Sequence, residues 1–166
     1  MRPGKGSPWA RQEIRPLRLE DIADRLGDRV EMIRASLDGH EDVAVVGACE
    51  PGSGSEVLLI ATRRGILVAY PWSGPTDTVA AIVPSGWVAW GDARASTVQT
   101  IAANGASSGA ANGGSTATAV VSHHSCTILL RGVGLTAQGD GDQGRRAVDA
   151  FHDEVVRRGT PWHYPS

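Results

Sequence analysis

The sequence predicts a mainly β fold of the α+β class: seven short antiparallel strands closing into a strongly bent barrel, capped by a C-terminal α-helix and preceded by an additional N-terminal helix. Three observations carry this expectation. Val57 to Ala61 and Ile66 to Tyr70 are short apolar runs separated only by Thr62-Arg63-Arg64-Gly65, the pattern of an antiparallel hairpin. Further short runs rich in β-branched and small residues lie on both sides of this pair, mostly with connections of hairpin length. Near the end, Ala147, Val148, Phe151, Val155 and Val156 form one stripe of an amphipathic helix over Gln143 to Arg158, and such a stripe needs an apolar surface to cover.

Taken in order, residues 1–18 read as a flexible arm rich in proline, glycine and basic residues, with Trp9 as its one large ring. Leu19, Ile22, Leu26, Val30, Ile33 and Leu37 recur at helical spacing, so residues 19–38 are expected to form the N-terminal helix. Gly27 is its weak point and could divide it in two. Val43 to Cys49 is the first strand, Glu50 to Ser55 a loop, and the hairpin supplies strands two and three. Thr78 to Val83, bent at Pro84-Ser85-Gly86 and continued by Trp87 to Trp90, is the fourth strand; Ala93 to Ala102 is the fifth. Residues 103–116 contain nothing larger than Asn or Thr and are expected to be a mobile loop. Ala117 to Ser122 and Cys126 to Val133 complete the strands, joined at His123-His124-Ser125, and Gly139 to Asp142 interrupts the pattern before the last helix. The expected domain covers residues 19–159, with 160–166 as a tail.

A chain of 166 residues is long enough to bury a core without staples. Its net charge of -2 does not favour nucleic acid or an anionic membrane as a partner. Cys49 and Cys126 are far apart and have no zinc or disulfide spacing, and no run has the length of a signal peptide core or a membrane span. A cytoplasmic location is therefore expected.

The arrangement resembles the pleckstrin-homology-like (PH-like) fold, and in particular bacterial PH-like domains. Their strand pair carries a pattern close to LLLAT-D-R-R-LLVV, which Leu58 to Val68 matches apart from the Asp between Thr and the Arg pair. Gly39-His40-Glu41 similarly fits the G-x-E that precedes their first strand. The resemblance spans roughly Leu19 to Arg158 and implies a binding module, non-catalytic and without a cofactor, since this fold hosts recognition more often than catalysis. Phosphoinositide-binding members place Lys and Arg around the first two strands, whereas the loop here is E-P-G-S-G-S-E, with two carboxylates and no cation. A protein or peptide partner, or self-association, is expected instead, through an exposed sheet edge or the barrel surface.

Candidate partner-binding residues are Arg63 and Arg64 at the hairpin tip, Trp87 and Trp90 on the fourth strand, and Trp162 and Tyr164 beside proline in the tail. His123, His124 and Cys126 are weak candidates for metal ligands, with His124 and Cys126 on one face of a strand. The alternative from another class is a small metal-dependent hydrolase using these three or the carboxylates Asp140 and Asp142. A second alternative is a membrane-surface adaptor. Gly52-x-Gly54 and Gly132-x-Gly134 lack the context of a dinucleotide site and read as turns.

Overall fold

A computed structural model describes residues 16–52, 56–70, 85–103 and 121–161. The strands are β1 (Asp42–Cys49), β2 (Glu56–Thr62), β3 (Ile66–Ala69), β4 (Gly86–Val88), β5 (Ala93–Ala95), β6 (Gln99–Ala103), β7 (Val121–Leu130) and β8 (Val133–Asp140). Helices α1 (Ala23–Leu26) and α2 (Arg29–Leu37) precede them, and α3 (Gly141–Arg158) follows. All the strands belong to one antiparallel sheet in the order β4-β3-β2-β1-β8-β7-β5, with β6 also on β7. The described strands thus occupy seven positions, because β5 pairs with one end of β7 and β6 with the other. The result is a curled half-barrel, closed on its concave side by the C-terminal helix and carrying the N-terminal helices outside.

Three layers explain why the hairpin reads as almost unbroken apolar sequence. In β2, Val57, Leu59 and Ala61 face α3, while Leu58 and Ile60 face α1 and α2; Ile66 and Val68 of β3 turn inward and Leu67 outward. Strands covered on both faces lose the alternation of polar and apolar residues that a half-exposed sheet shows. Ala147, Val148, Phe151 and Val155 of α3 fill the inner core, and Phe151 is fully buried. Val156, expected on this stripe, is exposed instead, one position off the buried face.

The N-terminal helix is divided where glycine allows it. Leu19–Ile22 is a 3-10 turn leading into α1, Gly27 takes φ +58°, and α2 resumes at Arg29. Asp42 at the start of β1 ties this layer to the sheet by accepting from the backbone N–H of Leu19 at 2.7 Å.

The C-terminal half differs from expectation. His123-His124-Ser125 is no turn but lies within β7, and the turn sits at Arg131-Gly132. Both turn residues have positive φ, 52° and 84°, as a two-residue hairpin loop with the twist of its strands requires. Val133 therefore belongs to β8, which runs on through Gly139 to Asp140, and α3 begins at Gly141 rather than Gln143. The polar histidines are tolerated in mid-strand because neighbouring strands satisfy them: His124 Nδ1 lies 2.9 Å from Thr100 Oγ1, and His123 Nδ1 lies 2.6 Å from Asp140 Oδ1. The expected fifth strand is broken at Ser96, whose hydroxyl accepts from the Thr127 N–H where the ladder is interrupted. Trp90 lies in a 3-10 turn after β4, not in a strand. The expected strand segments 78–83 and 117–120, loop residues 104–116 and the tail from 162 lie outside the described residues.

Candidate functional site

The hairpin tip is built by one hydroxyl. Thr62, fully buried at the end of β2, accepts from the backbone N–H groups of Arg64 and Gly65 at 3.1 and 3.2 Å and donates to the Gly65 carbonyl at 3.0 Å. This closes the turn and leaves Arg63 and Arg64 exposed on its outside. Gly65 is required because a Cβ there would collide with the carbonyl of Val88 on β4.

Four segments meet at this end of the half-barrel. Trp90 Nε1–H donates to the Thr62 carbonyl at 3.0 Å, joining the segment after β4 to the tip. Arg131, in the β7–β8 turn, donates through Nη2 to the Trp87 carbonyl at 3.2 Å, and its own N–H bonds to the Asp92 carbonyl at 2.9 Å. Past the end of α3, Thr160 bonds the carbonyls of Ala93 and Gly91 at 2.9 and 2.7 Å. The Arg64 guanidinium lies 4.5 Å from the Trp87 ring centre, with His40 edge-on to the same indole at 5.6 Å. Arg158 lies 6.0 Å from the Trp90 ring centre.

Charge at this end is uneven. Glu154 takes ion pairs from both Arg157 and Arg158, and Asp92 lies 4.0 Å from Arg131 Nε. Among the described residues, Arg63 and Arg64 have no carboxylate partner. A guanidinium stacked on an indole keeps its in-plane N–H donors for a carboxylate or phosphate, and the ring fixes its orientation. Trp87 also borders a groove of about 450 Å³ between α2 and the β3–β4 edge, lined by Met32, Ile33, Leu67 and Ala69.

Of the residues expected to bind a partner, the fold therefore brings Arg63, Arg64, Trp87 and Trp90 to one end, while Trp162 and Tyr164 lie outside the described residues. Arg131, Arg158 and His40 join them without having been singled out in the sequence. The only signal for Arg131 was its place before Gly132, in a turn the sequence reading set elsewhere.

The histidine and cysteine candidates do not converge. His124 and Cys126 face the core and are buried, whereas His123 points to the opposite side of β7 toward Asp140. Burial, with the Asp149 charge adding to it, pushes the Cys126 thiol up to about 12. Asp142 is exposed in the first turn of α3, and no group of three or more His, Cys, Asp or Glu side chains among the described residues could hold a metal ion. In the loop after β1, Glu50 is not offered to solvent as its sequence context suggests: it is buried and accepts a hydrogen bond from the Tyr70 hydroxyl, leaving Glu56 as the exposed carboxylate. No helix among the described residues is long and apolar enough to cross a membrane.

No family model matches the chain, and neither the curated proteins nor the solved structures yield a match to it.

Proposed function

We propose that the protein is a non-catalytic binding module of the PH-like kind, which engages a protein or peptide through the end that carries Arg63, Arg64, Trp87 and Trp90. The observation that carries this reading is the Arg64 guanidinium held on Trp87 beside Arg63, neither arginine having a carboxylate partner among the described residues. Arginine and tryptophan are the side chains that most often anchor interfaces, because each offers a large rigid surface together with directed donors. The adjacent groove adds apolar surface for a neighbouring side chain of the same peptide.

The partner chemistry that fits is an acidic segment with an apolar residue close to its carboxylates. Arrayed peptides of acidic, neutral and basic composition, followed by titration of the strongest binder, test it. The acidic set should bind best. Arg63→Ala/Arg64→Ala should weaken the titrated peptide about tenfold or more without moving the melting temperature, since both side chains are exposed. Equal binding of all three sets, or an unchanged affinity in the double variant, would overturn the reading. Binding to anionic vesicles with no peptide bound would replace it with a membrane-surface role.

A further inference from the structure

We propose that two copies of this chain pair antiparallel through β6, with Ile101 opposite Ile101 of the partner subunit. Among the described residues β6 pairs with β7 alone, so its other side is a free edge of the sheet. An edge strand presents unpaired backbone N–H and C=O groups, and proteins commonly blunt such edges with charges, proline or a bulge. Gln99-Thr100-Ile101-Ala102-Ala103 contains no charge and no proline, and its register with β7 is continuous over all five residues.

The identity of the occupant follows from symmetry. Antiparallel pairing about a two-fold axis places each strand's central residue against itself, so the strand must tolerate its own chemistry. Ile101 is that central residue and is 58% exposed, an apolar side chain that gains from meeting a copy of itself. The flanking positions are neutral, and no like charges would face each other across the axis. The other free edge, β4, does not meet this condition, because Trp87 brings Arg64 beside it and a two-fold there would oppose cation to cation. Across the outer face, Ile101 is in register with His123 and His123 with Asp140, so the pairing extends one row of cross-strand neighbours through the axis. β6 and β4 lie at opposite edges of the sheet, and the pairing therefore leaves the Arg63–Arg64 end open.

A five-residue edge buries much less than a standard interface, which sets the expected dissociation constant on the order of 100 µM. Sedimentation equilibrium of the full chain from about 10 µM to about 1 mM should show the mass rising from monomer toward dimer. Ile101→Lys and Ile101→Glu should each stay monomeric over that range, with unchanged circular dichroism and melting temperature because the site is exposed. An equimolar mixture of the two variants should recover dimer, since Lys then faces Glu across the axis. A wild-type chain that remains monomeric, a dimer that survives Ile101→Lys, or a mixture that stays monomeric would each overturn the proposal.

Discussion

Cys126 and Cys49 carry the same thiol on opposite faces of the sheet, and the face decides its chemistry. Cys126 points into the core beneath α3, where loss of water, reinforced by Asp149, holds the thiol neutral up to about pH 12. Cys49 at the end of β1 is half-buried, accepts a hydrogen bond from Gln138 at 2.9 Å, and is raised more modestly by partial burial and Glu56. A thiol reagent at pH 8 should therefore modify Cys49 in the folded protein and reach Cys126 only after unfolding; equal labelling of both would contradict the assigned faces. A pH dependence follows from the same burial. Above about pH 9 the unfolded chain releases a proton from Cys126 that the folded state keeps, so the stability linked to this group is complete below pH 9 and is lost as pH rises toward 12. Denaturant melts should show the wild type losing up to about 1.4 kcal/mol per pH unit across that window relative to Cys126→Ala. Alternation along the strand was legible in the sequence and placed His124 and Cys126 on one face. What it could not supply was the identity of the neighbours, and Thr100 and Asp140 turn a polar pair that resembles a turn into satisfied mid-strand residues.

At the scale of elements, the segments read best were those whose pattern is set by local chemistry. The β2–β3 hairpin is where the sequence places it, because a four-residue junction with a capping threonine and a terminal glycine closes on itself through Thr62. The β7–β8 hairpin was displaced because its turn uses Arg131 at φ 52°, a conformation that non-glycine residues rarely adopt, and no side-chain signal marks it. The Arg–Trp end was only half legible for the same reason: Arg131 reaches Trp87 across 44 positions of sequence, and that meeting depends on the strand order. One close approach gives a test of how α3 is seated. Gly139 on β8 and Gly144 in the first turns of α3 face each other so tightly that a Cβ on either would overlap the other's backbone. Gly144→Ala should push the start of α3 away from β8 and cost about 1–3 kcal/mol in denaturant unfolding. Gly91→Ala, where a Cβ meets nothing, serves as the control and should change stability by less than about 0.5 kcal/mol. Equal effects of the two substitutions would show that α3 is not seated on this glycine pair.

Across the whole molecule, the two helical layers are held in different ways, and this predicts an order of opening. The inner layer is a single 18-residue helix whose buried stripe packs against β1, β5, β7 and β8, so it bridges the seam where β1 meets β8 and the two halves of the sheet join. Losing it would expose the core of both halves at once. The outer layer consists of a 3-10 turn, four residues of α1 and nine of α2, divided at Gly27, and rests on the outer face of β1 to β3 through Val45, Leu58, Ile60 and Leu67. Helices this short do not persist in water without packing. Their detachment would uncover one side of three strands whose ladders and inner contacts remain. Native-state hydrogen exchange should accordingly give α2 amides a lower opening free energy than those of β2, β7 or α3, the last group sharing the global value. Ile33→Ala, which removes a buried contact of the outer layer, should lower the α2 value by about 2–4 kcal/mol and leave the local ordering intact. Phe151→Ala should instead lower every protected amide together, by about 3–5 kcal/mol, because it empties the site at the centre of the inner core. If α2 exchanges as slowly as α3, or if Phe151→Ala affects only the amides around the helix, the molecule opens as one unit or along another division, and the layered account of its stability is wrong.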